Sequence, residues 1–268
     1  MLQLGTYESW FDGEPIVPGD SLEEVLENLE AYGYQGIQIG ARFRDLGWDE
    51  IGRIVNDTNI RLCIAGGGGG LLSADPEVRK QGVEATKEGL RLAARLGAIG
   101  SICVPTRRYE MEGTDAKSQY ELHEEILIEE LKEIAPVAES EGVMVILEPL
   151  NRYESQFLQR LDQAYKVCAA VGSPNIRFMA DFFHMNIEEV DMGQAIESTA
   201  EYLGYVHLAD SHRYEPGSGH LDFRPGLAAL KRIGYDGFMT LECKIMAEDK
   251  GQALTDSAAL IRRLWDEV

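Results

Sequence analysis

Three carboxylates and one imidazole stand where short apolar runs end. Glu148 follows the run 143–147, Asp181 closes 176–181, His207 follows Tyr205 and Val206, and Glu242 follows 237–241. A charged group at the end of an apolar run is costly to desolvate unless something binds it. On consecutive strands of one closed sheet, the four groups would converge on a point. Three carboxylates brought together repel one another, and a divalent cation is the simplest means of holding them. Three oxygen donors with one imidazole suit Mn²⁺ or Mg²⁺, tolerate Co²⁺, and exclude an all-thiolate site.

The elements needed to position these groups are legible along the chain. Strands are expected at 3–6, 36–41, 61–65, 101–105, 143–150, 176–181, 205–209 and 237–243. Helical periodicity lies between them, as in Leu22, Val25, Leu26 and Leu29, or Ile126, Leu127, Leu131 and Ile134. Start signals precede helices at Asp20-Ser21, Gly47-Trp48-Asp49 and Asp75-Pro76, and glycines end them at Gly33, Gly97, Gly142, Gly172 and Gly234. Eight strand-then-helix units over 268 residues, with nothing left for a second domain, predict a single (β/α)8 TIM barrel spanning residues 1–268. No glycine-rich dinucleotide fingerprint follows the first strand, which argues against a doubly wound sheet. In such barrels the reactive groups sit at the carboxyl ends of the strands.

Composition narrows the partners. The formal charge of −21 repels a phosphate backbone and anionic membranes, so neither nucleic acid nor membrane is expected as a partner. Mean hydropathy of −0.21 is that of an ordinary soluble chain. The amino terminus carries no leader pattern, and no apolar run is long enough to span a bilayer. Cys63, Cys103, Cys168 and Cys243 are scattered without a CxxC pair, which suits reduced, buried thiols in a cytoplasmic protein.

Further candidates flank the four groups. Glu154 lies after the fifth strand, His184 three residues after Asp181, and His212 and Arg213 after the seventh strand. The stretch 216–220 is punctuated by glycine and suits a shaped loop able to close over a ligand. Gly66–Gly70 lacks the Lys-Ser/Thr of a phosphate loop and reads as a flexible mouth loop. Arg107 and Arg108 read as solvated loop residues. Tyr7, Trp10, Phe43 and Tyr109 sit where they can wall a sugar pocket or cap the barrel.

The motifs Glu148-Pro149-Leu150-Asn151-Arg152-Tyr153-Glu154, Asp181-Phe182-Phe183-His184 and 207–213, followed by 217–223, resemble the xylose-isomerase-like barrel superfamily. Within it they look like the D-tagatose 3-epimerase and D-psicose 3-epimerase group, and the segment 73–98 shares the likeness. The resemblance implies that Glu148, Asp181, His207 and Glu242 bind one divalent ion, with Mn²⁺ expected and Mg²⁺ or Co²⁺ as alternatives. It implies that Glu148 and Glu242 are the acid/base pair of a sugar isomerase or epimerase. One takes a proton next to a ketone, and the other returns one to the opposite face of a cis-enediolate. It implies that Glu154, His184 and Arg213 hold substrate oxygens.

Three segments depart from that group. Gln38 stands where a carboxylate is usual, and 66–70 and 106–109 differ in the pocket wall. The substrate is therefore a small sugar or sugar-like ketone of open identity. The same machinery would serve a lyase subunit of a C-glycoside deglycosidase acting on 3-oxo-glycosides, or an inosose or hydroxypyruvate isomerase. A homo-oligomer is expected, or, in the deglycosidase case, a second subunit. An endonuclease IV-like enzyme shares the fold but would want a basic face and more histidines than the five present.

Overall fold

A computed structural model describes residues 2–268; Met1, part of the stretch read for leader signals, lies outside them. Among the described residues, eight strands form a closed parallel barrel in sequence order. They are β1 (Gln3–Tyr7), β2 (Gly36–Gln38), β3 (Arg61–Ile64), β4 (Gly100–Cys103), β5 (Met144–Leu147), β6 (Ile176–Asp181), β7 (Leu203–Leu208) and β8 (Phe238–Leu241), and β8 pairs back onto β1. Around them run α1 (Leu22–Tyr32), α2 (Trp48–Asn56), α3 (Pro76–Arg95), α4 (Gln119–Glu141), α5 (Leu161–Val171), α6 (Phe182–Glu188), α7 (Met192–Ser198), α8 (Arg224–Arg232) and α9 (Lys250–Glu267). The expected (β/α)8 architecture is the one found.

The caps explain several boundaries. Ser21 and Asp75 accept backbone N–H groups at the starts of α1 and α3, and Pro76 fills the first position of α3. Gly33, Gly142 and Gly172 end their helices in the left-handed conformation.

Most strands stop earlier than their apolar runs. β2 ends at Gln38 rather than 41 because side chains of the β1 loop capture the next amides. The Glu8 carboxylate accepts from Gly40 N at 2.5 Å, and Ser9 Oγ accepts from Ala41 and Arg42 at 3.1 and 3.2 Å. β6 is followed by two short helices, α6 and α7, where one had been expected. Asp181 supplies the first turn of α6 by accepting from Phe183 N and His184 N at 2.9 and 3.3 Å.

The main core lies between the sheet and the helices and contains Leu22, Val25, Leu26, Leu127, Leu131 and Ile134. A smaller cluster fills the barrel itself: Cys63, Ile64, Ile146, Met179, Tyr205 and Phe238. Strand side chains alternate with period two, so residues two beyond these inward positions also point inward. That rule sends Glu148, Asp181 and His207 into the barrel mouth, above Ile146, Met179 and Tyr205.

The five-glycine loop has a packing role that the sequence reading did not foresee. It lies along α3, which offers Gly82, Thr86 and Gly89 to it. A Cβ on Gly66 would strike the Gly89 backbone, and one on Gly68 would strike Thr86. Gly82 and Gly89 in turn have no room for a Cβ beside the backbone of Gly69 and Gly67. The loop thus lies close against α3.

All four cysteines are unpaired and buried, as expected. Burial pushes the thiols of Cys63, Cys103 and Cys168 up to about 12, so they are poor nucleophiles. Among the described residues, no helix is long and apolar enough to cross a membrane.

Candidate metal centre

The carboxyl ends of β5 to β8 bring the four groups together. Asp181 and His207 are paired residues of β6 and β7. Glu148 N bonds Cys103 O at the end of β4, and Glu242 N bonds Leu208 O at the end of β7. One donor atom from each of Glu148, Asp181, His207 and Glu242 lies within 4.8 Å of every other, and all four residues are buried. His207 Nδ1 is 3.1 Å from Glu242 Oε2, 3.6 Å from Asp181 Oδ2 and 3.7 Å from Glu148 Oε1.

That Nδ1 is a buried polar atom without a hydrogen-bond partner. An orphaned imidazole nitrogen facing three carboxylates is the donor set a divalent cation takes, so the residues fit one. The other ring nitrogen, Nε2, lies 3.0 Å from Gln38 Oε1.

A family model described as the xylose isomerase-like TIM barrel matches residues 26–264. The chain belongs to the xylose isomerase-like TIM barrel family. It is 30% identical over 267 residues to the 3-dehydro-D-guloside 4-epimerase of Escherichia coli, covering 97% of this chain and 99% of that one. It is 31% identical over 252 residues to the L-ribulose 3-epimerase of Mesorhizobium japonicum, covering 91% and 82%. The crystal structure of a 3-keto-D-glucoside 4-epimerase from E. coli superposes with a TM-score of 0.83 at 28% identity, covering 98% of this chain and all of that one. The chain is accordingly an enzyme of the isomerase and epimerase class.

In this xylose isomerase-like barrel the expected substrate-side residues gather at the same mouth. Arg213 donates from Nη1 to both oxygens of Asp181 and from Nη2 to Glu242. It holds a left-handed backbone conformation (φ 66°) and lies over the Phe183 ring, 4.8 Å from its centre. His184 is buried; its Nδ1 accepts from the backbone and side-chain nitrogens of Asn151 at 3.1 and 2.8 Å. Nε2 therefore carries the proton, 3.8 Å from Asp181. Glu154 stands further out on the rim, steadied by Asn151 at 3.0 Å and Arg107 at 3.3 Å.

The charges bias one another. Burial pushes the Asp181 carboxyl up, but Arg213, His184 and His207 outweigh it and hold it well below the usual range. Burial pulls His207 down, yet Asp181 and Glu148 win and raise it. Burial lowers His184, which favours its neutral form.

Other candidates stand elsewhere. His212 is exposed and packs edge-on against Tyr214, 5.1 Å between ring centres. The 216–220 loop is tied down by Asp210, which accepts from Ser211, Gly217 and Leu221 nitrogens at 2.7, 2.9 and 3.0 Å.

A cavity of about 350 Å³, within the size range of small-molecule sites, is lined by none of the four groups but adjoins them through Gln38, bonded to His207, and Tyr7, edge-on to its ring. Of the four aromatics expected around the mouth, Tyr7 lines it and Trp10, Phe43 and Tyr109 do not; Phe11 and Trp48 take their place. Trp48 opens α2 and Phe11 follows β1 closely, so position after a strand was the signal that could have found them.

Proposed function

We propose that this barrel is a divalent-metal-dependent sugar epimerase that moves a proton on the carbon next to a ketone. The observation carrying this reading is the buried convergence of Glu148, Asp181, His207 and Glu242 beside a cavity of ligand size. In this reading all four bind one ion, Mn²⁺ by preference and Mg²⁺ or Co²⁺ in its place. When bound, the ion supplies positive charge that makes the carbon-bound proton acidic.

The protein groups do the rest. Glu148 at the end of β5 and Glu242 at the end of β8 face the site from separate strands. One accepts the proton from one face of the sugar, and the other delivers a proton to the opposite face through a planar enediolate. Arg213 and the Nε2 proton of His184 donate to the substrate oxygens whose charge rises as the proton leaves. Glu154 accepts from a hydroxyl. The unit is a single domain of 268 residues, and its acidity and reduced thiols suit the cytoplasm and a small sugar partner rather than nucleic acid.

The test is hydrogen exchange. Mn²⁺-loaded protein is incubated in D2O with D-fructose, D-psicose, D-tagatose and methyl 3-oxo-glucopyranoside, and NMR follows the protons next to the ketone. Exchange with appearance of an epimer, lost in Glu148→Gln and Glu242→Gln, is the expected result. Metal-loaded protein that exchanges none of the four sinks the proposal.

The aromatic cavity favours a second reading. A C-glycoside lyase subunit would use the same pair to expel an aglycone, and release of that aglycone from an oxidised C-glycoside would replace the epimer as product.

A further inference from the structure

Gln38, the last residue of β2, is 2% exposed and faces both the metal centre and the cavity. Its Oε1 accepts from the Tyr205 hydroxyl at 2.8 Å and from His207 Nε2 at 3.0 Å. Tyr205 is in turn hydrogen-bonded to Thr240. A chain of hydroxyls and one imidazole therefore converges on a single carbonyl oxygen and fills both its lone pairs. His207 is left with its proton on Nε2 and its Nδ1 turned to the three carboxylates.

The other end of the amide is free. Among the described residues, Gln38 Nε2 donates to no protein atom, while the side chain lines the cavity with Tyr7, Phe11, Arg44, Trp48 and Gly66. A carboxylate at this position would hold His207 equally well, but it would offer only acceptor oxygens to a ligand. Glutamine offers a donor instead. A sugar hydroxyl can satisfy either group, whereas an acetal oxygen, having no hydrogen, can satisfy only the amide.

We propose that Gln38 is a positioning and specificity-determining residue. Its carbonyl oxygen fixes His207 for metal binding, and its amide N–H donates to the acetal oxygen of a glycoside substrate whose remaining group occupies the cavity. This deepens the sugar-ketone reading above and rests on it for the substrate. Gly66, which carries no side chain, and the aromatic rings of Phe11 and Trp48 leave room and apolar surface for that group.

Two variants separate the functions. Gln38→Met keeps the length and removes both polar atoms; Gln38→Glu keeps the acceptor and removes the donor. Calorimetric titration with Mn²⁺ should show affinity lowered about 10–100-fold in Gln38→Met, the range for partners that orient a metal-binding histidine. Gln38→Glu should restore it to near the wild-type value. Circular dichroism and the melting temperature of the metal-free proteins show whether each variant is folded.

Dissociation constants for methyl 3-oxo-glucopyranoside and D-fructose, measured on Mn²⁺-loaded protein, test the second function. The wild type should bind the glycoside more tightly. Gln38→Glu should weaken the glycoside about tenfold, while D-fructose changes less than threefold. Unaltered Mn²⁺ affinity in a folded Gln38→Met, equal weakening of both sugars, or a wild-type preference for D-fructose overturns the proposal. Binding constants do not depend on turnover, so a protein that binds the glycoside but exchanges no proton would defeat the epimerase reading alone.

Discussion

Arg213 Nη1 grips both carboxylate oxygens of Asp181, at 2.8 and 2.7 Å, while its Nη2 reaches Glu242. One guanidinium thus partners two members of the buried acidic group. Removing it leaves two buried carboxylates with less compensation, which costs stability when no cation is present. Arg213→Ala should therefore melt lower than wild type in chelator, yet gain more from added Mn²⁺. In the proposed reaction it also loses a donor to the developing negative charge, an effect of about 10²–10³-fold on turnover. Differential scanning fluorimetry and the exchange assay read the two effects. A variant with wild-type turnover would remove Arg213 from the reaction.

The acidic group makes stability depend on metal. An ion that binds only the folded state at about 100 times its Kd contributes ~2.7 kcal/mol. For a domain of this size that raises Tm by roughly 5–10 °C. Stripping with chelator and readdition of Mn²⁺ should move the melt down and back, and His207→Ala should abolish the response. A melt indifferent to chelator and to Mn²⁺ contradicts a resident cation.

Asp210 gives stability a pH dependence away from the metal ligands. Burial pushes its carboxyl up, but the amides of Leu221, Ser211, Gly219 and Gly217 prevail and lower its pKa. A folded pKa below the unfolded one adds stability that is present above the unfolded value, near pH 4. It is lost as pH falls through the depressed folded value. Asp210→Asn should therefore be less stable than wild type by about 1.5–3 kcal/mol at pH 7, the worth of a charge-assisted hydrogen bond. Urea unfolding between pH 7 and pH 3 should show the gap narrowing on the acid side. A gap constant with pH would mean that the ionised carboxylate is not what holds the 216–220 loop.

The glycine loop separates two neighbouring positions. A Cβ on Gly68 meets Thr86, whereas one on Gly67 meets nothing within 4 Å, and Gly67 has no positive φ. Gly68→Ala should cost about 1–3 kcal/mol by overpacking, and Gly67→Ala should stay within ~0.5 kcal/mol. Adding Thr86→Ala to Gly68→Ala should recover part of the loss. Equal effects at both positions would show that the loop does not rest on α3 as described.

The barrel and the meeting of its four polar strand ends were legible because both follow from periodicity. Short apolar runs alternate with 3.6-period helices; Asp181 and His207 are the last inward residues of β6 and β7, and Glu148 and Glu242 stand one residue past β5 and β8. Long-range side-chain chemistry was not legible. Nothing local at Glu8 announces that its carboxylate captures the amide of Gly40, 32 residues away, beyond the end of β2 at Gln38. Likewise, Gln38 marks itself only as an unusual residue in an apolar strand. Its bond to His207 crosses 169 residues and exists only once the barrel closes. His212 misled because adjacency to Arg213 in sequence says nothing about direction: Arg213 turns inward through a left-handed backbone, and His212 stays in solvent.

The residues lining the cavity come from β1 to β4 and the loops that follow them, while Glu148, Asp181, His207 and Glu242 come from β5 to β8. The cavity wall and the four converging polar groups thus belong to opposite halves of the barrel. In the proposed reading, replacing the first four strand–loop segments with those of a sister protein would change the cavity wall and leave Glu148, Asp181, His207 and Glu242 in place. A graft of that kind would have to keep the contacts between the halves, among them the Gln38–His207 bond and the Arg107–Glu154 pair. In the proposed reading, the cavity wall can accordingly change in one half of the chain while Glu148, Asp181, His207 and Glu242 stay untouched in the other.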